Sequence, residues 1–156
     1  MNPNNDLFNN LKKLGLTLPE PSIPGGNYQS LTIRGQIIYL SIQFPIVNGK
    51  NLFLGKLGQN ISTQEGYQAM QLCGLNLLAQ IYHKVGFDHF LGFNHLDIYY
   101  RGSEGWDDGP IVANGASDLL VNSLGKPGLH SRSIFGVQNL PRDFCVGLSG
   151  SASLKM

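Results

Sequence analysis

Charge is scarce in this chain: only 13% of its 156 residues are Asp, Glu, Lys or Arg, and they nearly cancel to a net +1. No basic cluster exceeds the pair Lys12-Lys13, so the electrostatic footprint that grips a phosphate backbone is missing and nucleic acid is not the expected partner. Cysteine is scarcer still. Cys73 falls in a helical pattern and Cys145 in a strand pattern, both among apolar neighbours. Two such thiols are too few for a disulfide framework and fit inert packing in a protein of the reducing cytoplasm. No segment reaches the roughly 18 consecutive apolar residues of a spanning helix, and Met1 to Asp6 lacks the charged lead and apolar run of an export signal. Neither membrane insertion nor export is expected.

Catalytic and cofactor signatures are missing as well. His83, His89 and His95 lack the close spacing of metal ligands. Gly49 to Leu57 is not a P-loop, because the glycine spacing is wrong and no Ser or Thr follows Lys56. Gly147-Leu148-Ser149-Gly150-Ser151 fails the nucleophile-elbow pattern at its last glycine, which removes support for a Ser-His-Asp hydrolase built on His130 and Asp118. The reading therefore requires neither a metal nor an organic cofactor.

What the chain has is a core, since 42% of its residues are hydrophobic. Its length suits one domain over 1–156, with a core from 7 to 149 and flexible ends at 1–6 and 150–156. Leu7, Phe8, Leu11 and Leu14 space a short amphipathic helix that stops at Gly15. Pro19, Pro21, Pro24, Gly25 and Gly26 make the next stretch a linker. Two strands follow between Asn27 and Phe44, turning at Arg34-Gly35. The run Ile37-Ile38-Tyr39-Leu40 does not alternate, which predicts a strand buried on both faces. Ser62-Thr63-Gln64-Glu65 is a capping box that opens a long helix ending near Gly86. Phe87 to Tyr100 reads as a strand, with Phe93, His95, Asp97 and Tyr99 on one side. Ala116 to Leu124 reads as a second major helix, with Asp118 supporting its N-terminus, and strands over Ser131 to Gln138 and Phe144 to Leu154 close the chain.

The order ββαβαββ predicts an α+β domain: a mixed sheet with two helices packed on one face. The other face then lacks a cover. A second strand buried on both sides makes another copy of the chain the economical cover, so an oligomer is expected.

Arg132 opens an apolar strand, and a buried guanidinium requires an anionic counterpart or another set of acceptors. Around it, Gly26-Asn27-Tyr28, Ser41-Ile42-Gln43-Phe44-Pro45, Gly55-Lys56-Leu57-Gly58, Asn114-Gly115-Ala116-Ser117-Asp118-Leu119-Leu120 and His130-Ser131-Arg132-Ser133 through Leu140-Pro141 occur in order. Together these motifs resemble the RidA (YjgF, L-PSP endoribonuclease-like) family, in its longer branch, over nearly the whole chain. The resemblance implies a chorismate-mutase-like fold, a homotrimer, and clefts between neighbouring subunits that each accept a small carboxylate. It further implies cofactor-free hydrolysis of enamines and imines such as 2-aminoacrylate to 2-keto acids and ammonia. By position, Arg132 would clamp the carboxylate through a bidentate contact. Tyr28 would place a phenol and Asn114 an amide at the cleft, with Ser133, Ile134, Ile42 and Gln43 lining the ligand.

Two departures from the family pattern bear on chemistry. Gly147 stands where a glutamate usually helps to position water. Ile42 stands where glycine usually lets a ligand approach the second strand. Glu104, Asp107 and Asp108, in the loop before Asn114, are the acids that would have to replace the lost carboxylate. The alternative is a non-catalytic trimer that holds a small carboxylate. An endoribonuclease or translation inhibitor, a name attached to the family, draws no support from the charge distribution.

Overall fold

The computed structural model describes residues 2–156. Helix α1 (Pro3–Lys13) is capped by Asn2, whose side chain accepts from Asn4 N at 2.9 Å, and it buries Leu7 and Leu11 completely. Strands β1 (Leu31–Arg34) and β2 (Ile37–Gln43) form the expected hairpin, with Gly35 at φ 59° in the turn. A small hairpin, β3 (Ile46–Val47) and β4 (Lys50–Asn51), follows β2. Helix α2 (Thr63–Lys84) opens on the predicted capping box: Ser62 Oγ accepts from Glu65 N at 3.0 Å and Ser62 N donates to Glu65 Oε1 at 3.2 Å. Then come β5 (Phe90–Tyr100), α3 (Gly109–Leu124), β6 (Ser131–Gly136) and β7 (Val146–Leu154).

The five long strands order as β1-β2-β7-β5-β6, antiparallel throughout except for the parallel β5–β6 pair. Helices α2 and α3 cover one face, over Ile38, Leu96, Ile98 and Leu148, all fully buried. Each such side chain contributes about 1.5–3 kcal/mol by leaving water. The helices approach closely because Gly115 has no Cβ: one built there would sit 2.1 Å from Tyr67 O. Helix α1, the short amphipathic helix expected before Gly15, is tied to α3 by Asn10 Nδ2 donating to Ser123 O at 2.9 Å.

Several expectations need correction. Strand β2 is not buried on both faces in one chain, since Ile38 and Leu40 point inward while Tyr39 is 53% exposed. On that uncovered face Tyr39, Ser151, His95 and Ser131 form one cross-strand row. Phe93 does not share a face with His95: an irregularity between them turns Phe93 inward beside Ala152. Helix α3 begins seven residues before Ala116, at Gly109, because Pro110 suits a first helical turn where no amide partner is needed. Near the two ends the chain makes ordered contacts. Phe87 N donates to Asn4 Oδ1 at 2.9 Å, and β7 runs to Leu154 between β2 and β5.

Candidate functional site

The residues that the sequence reading groups into one site fall into two places. Arg132 lies on β6, at the sheet edge, opposite Leu96 and therefore on the helix-covered side. Its Nη1 donates to Asn114 Oδ1 at 2.8 Å and to Ser117 Oγ at 3.0 Å, both on α3. Asn114 and Ser117 are three residues apart on the helix, so they present their polar atoms from one face. Ser117 Oγ also meets His130 Nε2 at 2.9 Å, and His130 Nδ1 lies 2.6 Å from Gly128 O. A carbonyl can only accept, so Nδ1 carries the proton and a neutral ring accepts from Ser117 at Nε2. Ser117 thereby donates to the imidazole and accepts from the guanidinium. Among the described residues no carboxylate pairs with Arg132, and its Nε and Nη2 have no partner.

Asn114 is thus a mid-helix residue, and Asp118, later in the same helix, does not support its N-terminus. Asp118 accepts instead from Tyr67 Oη at 2.7 Å. Partial burial, then the hydrogen bond and charge of Asp118, push the Tyr67 phenol up to about 12. Ser133 and Ile134 follow Arg132 on β6 and take opposite faces, Ile134 sharing that of Arg132. Ser133 Oγ is 3.2 Å from His95 Nε2 on the open face, whereas Ile134 packs toward the helices.

Tyr28, Ile42 and Gln43 occupy the second place. They line a cavity of about 280 Å³ with Pro24, Phe44, Arg142 and Phe144, beside the end of β2. Strands β2 and β6 are three strand spacings apart, roughly 14 Å at the usual separation, and Arg132 is not part of the cavity lining. A single chain does not unite the two halves.

A register shift between Leu40 and Gln43 re-aims Ile42. A Cβ at Gly147 would stand 2.8 Å from Ile42 Cδ1 and 3.0 Å from Phe44 Cε1, so the isoleucine fills the space that a side chain at 147 would need. The two departures from the family pattern are one substitution of volume. No acid replaces the missing carboxylate within this cavity: Asp108 accepts from Thr63 Oγ1 at 2.9 Å elsewhere, and neither Glu104 nor Asp107 joins the lining.

Four residues at or beside the candidate site fall outside the sequence reading of it. Ser117 and His130 were within its quoted motifs, and their i, i+3 spacing from Asn114 and adjacency to Arg132 were usable signals. Arg142 and Asp143 gave none. They stand consecutively in left-handed backbone at φ 52° and 65°, with no glycine to announce the turn. Such conformations cost of order 1–3 kcal/mol each and persist where surroundings hold them. Here Asp143 O accepts from Gly55 N at 2.8 Å, and the Asp143 carboxylate pairs with the buried Arg101 guanidinium. The arginine with a permanent internal carboxylate is therefore Arg101, not Arg132. Cys145, close to Arg101 in the core, is pushed up to about 12 by burial, and burial also raises the Cys73 thiol.

A family model described as "YjgF/chorismate mutase-like, putative endoribonuclease" matches residues 9–148. The chain belongs to this YjgF family. Similar to it is Protein TCP17 of Trypanosoma cruzi, 32% identical over 134 residues that cover 85% of this chain and 84% of the relative. Among solved structures, a Shewanella oneidensis protein described as a "putative endoribonuclease" is 32% identical, with TM-score 0.91 over 95% of this chain and 99% of its own. Atu1372 of Agrobacterium tumefaciens, a protein of unknown function, is 28% identical, with TM-score 0.91 over 98% and 95%. The sheet with helices on one face is thus the chorismate-mutase-like fold of the YjgF family.

Proposed function

We propose that this YjgF-family protein acts as a homotrimer, binds a small carboxylate in a cleft between neighbouring subunits, and hydrolyses enamine or imine forms of 2-amino acids there. One observation carries the reading. Arg132 is oriented by neutral acceptors alone, so its full positive charge, its Nε and its Nη2 stay available for a carboxylate. Charge-assisted hydrogen bonds of this kind contribute about 1.5–3 kcal/mol each. The cavity of Tyr28, Ile42 and Gln43 offers space without a carboxylate clamp, and Arg132 offers the clamp without the space. Joining an edge strand of one copy to the cavity of the next supplies both, and covers the exposed sheet face that carries Tyr39.

In the hydrolysis, 2-aminoacrylate first tautomerises to its imine. Water then adds to the C=N carbon, the C=N π electrons take up a proton at nitrogen, and the tetrahedral carbinolamine collapses to the keto acid as ammonia leaves. Arg132 fixes the carboxylate next to the reacting carbon, and the Tyr28 phenol is the hydroxyl available to relay the proton. Ammonia release from 2-aminoacrylate generated in situ tests this. The wild type exceeds the buffer rate and Arg132→Ala returns to it. Equal rates for wild type, variant and buffer remove the deaminase claim.

A second reading has its own observation. No acid lines the cavity, because Ile42 and Phe44 occupy the space above Gly147. A trimeric binding protein without turnover would bind carboxylates through Arg132 and release no ammonia. A ribonuclease reading would need activity that survives Arg132→Ala and repeated purification, and the net charge of +1 gives RNA little purchase.

A further inference from the structure

The proposed hydrolysis needs a base for the attacking water, and the cavity does not hold one: no Asp, Glu or His is among its lining residues, and Gly147 offers no side chain. The Arg132 corner does. His130 meets Ser117 Oγ through Nε2 at 2.9 Å, and its Nδ1 lies 2.6 Å from Gly128 O. Gly128 is itself held in place: its N donates to Gly125 O at 2.9 Å, and it lies so close to α3 that a Cβ would stand 2.0 Å from Leu120 O. The proton is thereby kept on Nδ1, and the basic lone pair of Nε2 is aimed at a hydroxyl. His95, by contrast, bonds Ser131 and Ser133 on the open sheet face, away from the acceptors of Arg132. Ser117 is half-buried, and its Oγ also accepts from Arg132 Nη1 at 3.0 Å. An amide such as that of Asn114 suffices to orient a guanidinium. A hydroxyl backed by an oriented neutral imidazole can also pass a proton.

We propose that Ser117 and His130 form the proton relay of the imine hydrolysis, Ser117 touching the attacking water and His130 taking up the proton. This deepens the proposed function and rests on it. As the water oxygen bonds to the imine carbon, the water proton passes to Ser117 Oγ while the Ser117 proton passes to His130 Nε2. The C=N π pair takes a proton from the Tyr28 phenol of the adjoining copy, which gives the carbinolamine. In the collapse, the C–N bonding pair leaves with nitrogen, which receives the His130 proton through Ser117, and the carbinolamine hydroxyl returns a proton to Tyr28. Imine and water become keto acid and ammonia, and each protein group ends as it began. The ligand carboxylate offsets the charge of Arg132, so the transient imidazolium does not face an uncompensated cation. Ser117 is the catalytic residue of the pair, and His130 acts through it.

Turnover and affinity, measured apart, separate a relay from simple support of Arg132. Ammonia release from 2-aminoacrylate generated in situ gives the first. Titration of the full-length protein with pyruvate, followed by amide chemical shifts, gives the second. Ser117→Ala and His130→Ala should each release ammonia about a hundredfold more slowly than the wild type, yet bind pyruvate within about threefold of it. Added imidazole, corrected for its own background, should return His130→Ala to about a tenth of the wild-type rate and leave Ser117→Ala unchanged. His130→Gln, polar but not basic, should be as slow as His130→Ala, which excludes a packing defect as the cause. A Ser117→Ala rate within about threefold of the wild type overturns the relay, as do equal losses of rate and pyruvate affinity, or a His130→Ala variant indifferent to imidazole. A wild type no faster than buffer removes the proposed function itself. A wild type that turns over while Ser117→Ala keeps pace removes the relay alone and leaves Arg132 its role.

Discussion

The Arg132 corner and the Tyr28 cavity are built on opposite plans. At the corner, Asn114, Ser117, His130 and Gly128 form a chain in which each interior donor has an acceptor, and the guanidinium keeps free donors on its outer edge. At the cavity, Gln43 Oε1 is unanswered, Arg142 is unpaired, and two consecutive residues hold left-handed backbone. Under the proposed function, each protomer gives its oriented cation to one site and its pocket, on a strand roughly 14 Å away, to another.

The largest effect should come from breaking the corner's support. Gly115→Ala drives a methyl toward Tyr67 O and pushes α2 from α3, displacing Asn114 and Ser117 together. Urea denaturation should report a loss of about 3 kcal/mol, the upper part of the range for overpacking. Unchanged stability would mean that the helices re-seat without strain. Next in size is Arg132→Ala, which should lower carboxylate affinity by about 1.5–3 kcal/mol while leaving the urea midpoint nearly constant. A large shift in midpoint instead would mark Arg132 as structural.

A sharper comparison concerns Ile42 and Gly147. Gly147→Glu alone should destabilise the fold by about 1–3 kcal/mol, because Ile42 and Phe44 occupy the space. Combining it with Ile42→Gly should recover at least about 1 kcal/mol in a double-mutant cycle. Additive losses would show that the two positions do not share that volume. Faster ammonia release by the double variant than by the wild type would further identify the missing carboxylate as the limit on turnover.

Ser117→Ala should be milder, costing about 1 kcal/mol through lost hydrogen bonds to His130 and Arg132. Two-dimensional NMR of the imidazole should show its tautomer equilibrium relaxing. The smallest effect lies in the Tyr67 phenol. Its folded value of about 12 lies above the ordinary 10, so stability is fully present below pH 10 and declines as pH rises toward 12. Absorbance titration should find one of the six tyrosines ionising last, and Tyr67→Phe should abolish that phase and flatten the decline.

Much of this architecture is legible in the residues. The capping box at Ser62 and Glu65 marks the start of α2, and the hairpin at Gly35 and the closing strands follow from local pattern. The start of α3 is hidden because Asp108, Gly109, Pro110 and Gly115 imitate a loop, although the proline suits a first turn and the glycine is needed for helix contact. The irregularities in β2 and β5 are hidden because they change which face a side chain takes without changing composition. Arg132 and Asn114 were identified and do touch. Tyr28 belongs to the other half because strand order, which no local motif encodes, places β7 and β5 between β2 and β6. The turn at Arg142 left no trace, since arginine has no preference for left-handed backbone.

The central claim is that a working site takes Arg132 from one copy and the cavity from another. It is tested most directly by mixing two inactive variants, Arg132→Ala and the cavity-filling Ile42→Trp, under conditions where subunits exchange, and measuring carboxylate binding. Each variant alone should fail to bind, and the mixture should regain a fraction of the wild-type sites, those that pair an intact Arg132 with an intact cavity. A mixture shown by mass spectrometry to have exchanged subunits, yet still without binding, would contradict the account.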